Sequence, residues 1–416
     1  MLAGIAGETA LEALRRLGGG GEEGSVVLTR ANAQRVTDTL SNLRGAAMKL
    51  GQMLSLHGDD LLPPEFVQIL SAVRNQAHFM PEDQVRAVLV RELGTDWESK
   101  FAEFDFEPLA AASIGQVHEA RGPDGAELAL KIQYPGVDRS IGSDVDNLAV
   151  LLRVTRLLPT ELELDPLLDE VKKELQREAD YRREADNTAR YGELCRDDPT
   201  VLVPGVHRSL SSRRVLATDR VFGLPIEDLR SPEHSQEPRD RVGEQLLGLV
   251  LRELFEFRFM QTDPNFANYL FDPKSERIAL LDFGAARRFT RKFTDAYRRL
   301  LVASVDEDRP ALFEVSRELG FLKGDEAPEA FDIYVELLRL LSEPLRAEQP
   351  YDFRNSDLAR RARETSLEAL AHHRLPNPPS ETLFLHRKLG GSFLLAAHIG
   401  AVVDTRALYR RFVLRA

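Results

Sequence analysis

Asp263-Pro264-Asn265-Phe266-Ala267-Asn268 is followed closely by Asp282-Phe283-Gly284. Between them, Tyr269–Phe271 and Ile278–Leu281 read as two strands of a hairpin around Asp272-Pro273-Lys274. Asp282 follows the apolar run Ile278-Ala279-Leu280-Leu281, which sets a carboxylate at a strand end. Acid and amide oxygens of this kind suit Mg²⁺, a hard ion that takes such donors together with phosphate oxygens and water. An isolated Asp-Phe-Gly is as well explained by a β-turn. The two pieces together, behind a strongly apolar helix expected over Arg241–Met260, point to phosphoryl transfer. Asp263 is then the candidate catalytic acid, and Asn268 and Asp282 are the candidate metal ligands.

That chemistry also needs a cation for the nucleotide phosphates. Leu128-Ala129-Leu130-Lys131-Ile132 alternates as the lysine-bearing strand of kinases does, so Lys131 is the candidate. The glutamate that would hold it should lie in Glu174–Asn187, within a helix expected over Asp165–Leu194. Positions four apart share a helix face, so Asp180 and Glu184 can look the same way, while Glu178 sits well round from Asp180. Glu184 is the partner chosen for Lys131.

The remaining pattern is consistent with two lobes. Periodicity predicts helices over Thr29–His57, Glu65–Asn75, Glu82–Leu93 and Asp144–Leu158, and strands over Gln116–Ala120, Glu127–Gln133 and Val215–Val221. Nearly everything beyond Arg291 reads as helix. A net charge of −12 argues against a general nucleic-acid binder. The basic clusters Arg287, Arg288, Arg291, Lys292 and Arg406, Arg410, Arg411, Arg415 are most simply solvated helix faces. The single cysteine, Cys195, excludes an intramolecular disulfide and has no histidine near it in sequence to activate it. No apolar run is long enough for a membrane helix.

Taken together, the motifs resemble the UbiB/ADCK atypical kinase-like family, in particular its coenzyme Q branch. Lys49-Leu50-Gly51-Gln52 is similar to that family's K-x-G-Q motif, and Ala110-Ala111-Ala112-Ser113 to its alanine-rich loop. Glu178-Ala179-Asp180 is similar to its E-x-D motif, and Glu184 falls where its helix glutamate stands. Phe259-Met260-Gln261-Thr262-Asp263-Pro264-Asn265, Leu281-Asp282-Phe283-Gly284-Ala285 and His386-Arg387-Lys388-Leu389-Gly390-Gly391 resemble the coenzyme Q branch specifically. The usual kinase histidine before the catalytic acid is replaced here, since Gln261 and Thr262 precede Asp263.

The resemblance implies an α+β, bilobal protein-kinase-like fold with a small β-containing N-lobe, a mainly helical C-lobe and an added N-terminal helical extension. The expected boundaries are a flexible segment 1–28, an extension 29–105, an N-lobe 106–222 and a C-lobe 223–416. ATP or ADP with Mg²⁺ would lie under Ala110–Ser113, with its base against Asp219, Arg220, Val221 and Phe222. Lys49 and Gln52 would act as regulatory residues, with Lys49 meeting Glu178 or Asp180. The implied activity is that of an ATPase or a small-molecule or lipid kinase supporting ubiquinone biosynthesis. Two observations argue against a general protein kinase. Alanine resists the positive φ angles that glycine-rich loops use, and the short stretch from Gly284 to the helix near Arg291 leaves little room to seat a peptide.

A nucleotide-gated lipid-binding scaffold or chaperone for quinone-biosynthesis enzymes is the alternative. An antibiotic- or choline-type kinase shares the D-x-x-x-x-N logic but does not account for Lys49-Leu50-Gly51-Gln52. Expected partners are nucleotide, a quinone-like lipid, a membrane surface, quinone-biosynthesis enzymes and a second copy of the chain, with no nucleic acid. The eukaryotic branch carries a transit peptide and a membrane helix. Neither is evident here, so the expected setting is bacterial and cytoplasmic, peripheral at the inner membrane.

Overall fold

Period-two alternation in Glu127–Gln133 buries Leu128, Leu130 and Ile132 almost completely and turns Lys131 to the opposite face. This strand lies inside a four-stranded antiparallel sheet of the first of two compact units. The computed structural model describes residues 49, 79–155, 164–371 and 380–414. Apart from Lys49, the expected helix over Thr29–His57 lies outside the described residues, as do the expected helix Glu65–Asn75, the segment 1–28 and Gln52. The first unit comprises the described residues up to Ala185 together with Val206–Arg220; the second comprises Asp186–Gly205 and the chain from Val221 on.

In the first unit, helix α1 (Glu82–Leu93) precedes strands β1 (Glu103–Ala111), β2 (Gly115–Arg121) and β3 (Glu127–Gln133). Helices α2 (Val137–Thr155) and α3 (Leu164–Glu178) follow, then α4 (Tyr181–Leu194), which belongs to the second unit from Asp186 on, and β4 (Val215–Asp219). The sheet order is β1-β2-β3-β4, with Lys131 opposite Val117 on one side and Leu216 on the other. Gly125, at φ 84°, makes the β2–β3 turn that only a residue tolerant of positive φ adopts easily. Val85 and Leu89 of α1 join Leu128, Leu130, Val215 and Ala217 in one core with Trp97.

The expected single helix over Asp165–Leu194 is two helices. Ala179 and Asp180 interrupt it, because tertiary partners capture the backbone there. Gln133 Nε2 donates to the Ala179 carbonyl at 3.0 Å, and the Tyr181 amide donates to Arg213 at 3.0 Å. Ala110 and Ala111, expected in a loop, are the last residues of β1.

In the second unit, α5 (Gln236–Arg252) continues through a π-helical turn, Glu253–Phe257, and buries Leu246, Leu249, Val250 and Leu254. Arg258 takes φ 49°, which ends the helix at Phe257, three residues short of the expected Met260, and turns the chain into β5 (Phe259–Gln261). Strands β6 (Tyr269–Asp272) and β7 (Arg277–Leu280) form the hairpin, with Tyr269 opposite Leu280. β8 (Ala286–Arg288) returns antiparallel to β5, placing Ala286 opposite Gln261. Helices α6 (Arg291–Val305), α7 (Arg309–Glu318), α8 (Pro328–Leu341), α9 (Leu358–Ala371) and α10 (Ser380–Ile399) complete the unit. The two-residue pairing of Tyr351–Asp352 with Val402–Val403 interrupts a C-terminal stretch expected to be helical throughout.

Candidate functional site

The first unit supplies an ion pair. Lys131 Nζ donates to both carboxylate oxygens of Glu184, at 2.8 and 3.0 Å. The Lys131 side chain is 15% exposed and that of Glu184 3%, so the pair is largely shielded from water. β3 fixes the lysine, and the restart of the chain into α4 fixes the glutamate one turn along.

A second ion pair stands at the end of α3. Lys49 donates to Glu178, and Ser113 Oγ donates to the other Glu178 oxygen at 3.1 Å. Of the two acids left open by the sequence, Lys49 therefore meets Glu178. Asp180 sits in the break between α3 and α4, where its carboxylate accepts from the Arg182 amide at 3.1 Å. Ser113 follows the strand end formed by Ala110 and Ala111, and the Ala112 amide closes the turn onto Gly115 at 2.9 Å. None of Ala110, Ala111, Ala112 and Ser113 has a positive φ. At the end of β4, Asp219 pairs with His207 at 2.7 Å and Arg220 with Glu119. Val221 and Phe222 open the second unit's share of the chain, with Phe222 59% exposed.

The second unit supplies the acids and the amide. The Leu281 amide donates to the Asn268 carbonyl at 3.0 Å, continuing the β6–β7 pairing by one step. Asn268 and the neighbouring Asp282 therefore lie side by side at the hairpin's open end. Asn268 Nδ2 donates to Asp263 Oδ2 at 3.3 Å, which leaves its Oδ1 as the acceptor of the amide. Asp282 Oδ1 accepts from the Gly284 amide at 2.9 Å. Phe283 is fully buried against Tyr191, with ring centroids 4.7 Å apart, and Asn187 Nδ2 holds its carbonyl at 3.0 Å. Asn268 thus meets Asp263 through its side chain, and the chain runs on from its backbone partner Leu281 to Asp282. One carboxylate and one amide oxygen fit a magnesium ion that completes its shell with phosphates and water. Among the described residues, no cluster of three or more His, Cys, Asp or Glu side chains suits a metal held by protein alone.

The His386–Gly391 motif, to which the sequence assigned no role, stands behind this loop. Arg387 of α10, 4% exposed at its side chain, forms an ion pair with Asp263. Lys388, 1% exposed, donates to Gln261 Oε1 at 3.0 Å and Tyr269 OH at 2.7 Å, and lies 3.5 Å from Glu253 Oε2. Burial draws the Lys388 ammonium toward neutrality. Glu253 and Tyr269 outweigh that and hold its pKa above the ordinary lysine value. The available signal was two adjacent cations, Arg387 and Lys388, in a helix whose surrounding residues include Leu383, Phe384, Leu385 and Leu389. Such charges are rarely buried without partners.

Residues 72–316 match the ABC1 atypical kinase-like domain. Among curated proteins, the chain is 45% identical to "Atypical kinase COQ8B, mitochondrial" of Rattus norvegicus, over 94% of this chain and 73% of that protein. It is 40% identical to "Atypical kinase COQ8, mitochondrial" of Saccharomyces cerevisiae, over 93% and 77% respectively. It is 42% identical to "Atypical kinase coq-8, mitochondrial" of Caenorhabditis elegans, over 98% of this chain but 55% of the worm protein. Among solved structures, a complex of Rv3197 with erythromycin from Mycobacterium tuberculosis superposes with a TM-score of 0.66 at 26% identity, covering 92% of this chain and 95% of that one. The fold is therefore the expected α+β kinase-like one. The expectation of a bacterial, cytoplasmic setting does not stand, because these relatives at 40–45% identity are eukaryotic proteins named as mitochondrial. No described helix is long and apolar enough to cross a membrane.

Proposed function

This chain belongs to the ABC1 atypical kinase-like family, and from that premise we propose that it is a Mg²⁺-dependent ATPase or small-molecule or lipid phosphotransferase that supports ubiquinone biosynthesis. The observation that carries this reading is the Asn268–Asp263 hydrogen bond at the end of the β6–β7 hairpin where Leu281 pairs with Asn268 and the chain continues into Asp282. Asn268 Oδ1 and Asp282 would hold the ion, which would neutralise phosphate charge when bound. Lys131, held by Glu184, would receive the phosphates nearer the nucleoside, and Asp263 would orient the attacking oxygen. Ala110, Ala111, Ala112 and Ser113 would cover the phosphates, and backbone groups of Asp219–Phe222 would meet the base. Lys49, Gln52, Glu178 and Asp180 would regulate access. We assign residues 29–105 to the extension, 106–222 to the N-lobe and 223–416 to the C-lobe.

Little chain is available to bind a peptide acceptor. β8 pairs back onto β5 directly after Asp282-Phe283-Gly284, and α6 begins at Arg291. This favours water or a small acceptor over a protein chain.

The test is phosphate release from Mg-ATP by the full chain and by Asp282→Asn. A fall of about a hundredfold or more is expected, in line with the loss of an electrostatic contact made in the transition state. Equal release from both would overturn the reading. A nucleotide-gated lipid-binding scaffold is the second reading, and the Arg387–Asp263 ion pair favours it, since Arg387 already engages one oxygen of the carboxylate that would orient an attacking group.

A further inference from the structure

The kinase histidine position before the catalytic acid is filled here by Gln261, and a carboxamide has two orientations of nearly equal shape. Its surroundings choose one. Lys388 Nζ lies 3.0 Å from Gln261 Oε1, and an ammonium can only donate. The carboxamide oxygen must therefore face Lys388, and its NH₂ must face the other way, where it donates to the Asp263 carbonyl at 2.7 Å. Reversed, the amide would set its NH₂ against the ammonium and its oxygen against a carbonyl oxygen.

The same ammonium donates to Tyr269 OH at 2.7 Å. Gln261 and Tyr269 are the residues immediately before and after Thr262–Asn268, so one buried charge holds both ends of that loop. Glu253 supplies the counter-charge. Its Oε1 accepts from Tyr191 OH at 2.7 Å and from the Gln261 amide at 2.9 Å, while Oε2 faces Lys388 at 3.5 Å. α10 meets the loop twice more, at the Arg387–Asp263 ion pair and at Gly391, which packs directly on Pro264.

We infer that Lys388 is a positioning residue: by fixing the orientation of Gln261 and anchoring Tyr269, it holds the Asp263–Asn268 loop in its working geometry from α10. This rests on the catalytic reading of Asp263 given above, and adds to it a role for a helix outside the nucleotide motifs. Charge-assisted contacts among buried groups suit such a task, because breaking the Lys388 contacts would leave Gln261 and Tyr269 short of a buried donor.

The test uses the full chain and two variants. Gln261→Leu leaves Lys388 paired with Glu253 and Tyr269 but removes the donor to Asp263. Lys388→Met combined with Glu253→Gln removes both buried charges together, so neither is stranded. Amide hydrogen exchange over residues 262–269 is followed by mass spectrometry without nucleotide, and phosphate release from Mg-ATP is measured separately. Both variants are expected to exchange at least about tenfold faster in that segment than the parent. Their kcat is expected to fall about ten- to a hundredfold while KM for ATP stays within about twofold. Unchanged exchange in both variants would overturn the positioning role, whatever the parent's activity. Faster exchange with kcat unchanged in an active parent would also overturn it, reducing Lys388 to a structural residue. A parent no more active than Asp282→Asn would instead overturn the catalytic reading, and the exchange rates alone would then decide whether Lys388 holds the loop. If the double variant fails to fold, Gln261→Leu, which strands no charge, carries the test.

Discussion

Lys131 and Glu184 meet through two hydrogen bonds, at 2.8 and 3.0 Å, although fifty-three residues separate them in the chain. The pair sits on β3 and the first turn of α4. Its geometry makes the first prediction. Lys131→Ala removes a cation able to make charge-assisted hydrogen bonds to phosphate, worth about 1.5–3 kcal/mol each. ATP affinity measured by calorimetry should fall about ten- to a hundredfold. Unchanged affinity would remove Lys131 from the nucleotide site.

Much of this pair was legible in the sequence, for a physical reason. A strand with alternating burial declares which side chains leave the core, and Lys131 stands among Leu128, Leu130 and Ile132. The hairpin was equally legible from Asp272-Pro273-Lys274 between two apolar runs. The break at Ala179–Asp180 was not. No Gly or Pro marks it, and the capture of those backbone groups by Gln133 and Arg213 comes from residues distant in sequence. Lys388 was hidden for a related reason. A helix lysine reads as solvated unless its counter-charge is known, and Glu253 comes from the π-helical turn after α5.

The hairpin end makes a second prediction, about metal. If Asn268 and Asp282 supply the two protein oxygens, Asn268→Ala and Asp282→Asn should each weaken Mn²⁺ binding in the presence of ATP about tenfold or more. Binding of metal-free ADP should stay within about twofold, because its contacts lie elsewhere. The paramagnetic signal of Mn²⁺ follows the first and calorimetry with ADP in the presence of EDTA the second. Equal loss of ADP binding would show that the variants had disturbed the fold instead.

Cys195 makes a third. It is 4% exposed, in a core with Tyr191, and burial followed by the nearby Asp198 carboxylate pushes its thiol from 9.0 up to about 12. The folded chain should therefore resist a thiol reagent such as DTNB at pH 8 and react with one equivalent once unfolded in denaturant. The linkage has a definite sign. The unfolded thiol ionises above about pH 9 while the folded one keeps its proton to about pH 12, so this group's contribution is intact below pH 9 and is lost as pH rises through that window. The slope is at most about 1.4 kcal/mol per pH unit. Denaturant unfolding of the parent and Cys195→Ala between pH 8 and 10 should show a steeper alkaline loss in the parent. Parallel pH curves would contradict it.

Adjacent glycines in α10 make the last prediction, because their surroundings demand opposite outcomes from the same substitution. A Cβ on Gly391 would stand 2.2 Å from Pro264 Cγ and 2.4 Å from Pro264 Cβ, while one on Gly390 would meet nothing within 4 Å. The proline ring has no free rotamer in which to move aside, so Gly391→Ala must shift either the helix or the loop that carries Asp263. Overpacking of this kind costs about 1–3 kcal/mol. Gly390→Ala adds no clash and reduces the freedom of the unfolded chain inside a helix, a gain of about 0.5–1 kcal/mol. Thermal unfolding should thus place Gly390→Ala above the parent and Gly391→Ala below it, and phosphate release should fall only in Gly391→Ala. If the two variants shift together, α10 does not rest on Pro264 in the way that makes it a support for the catalytic loop.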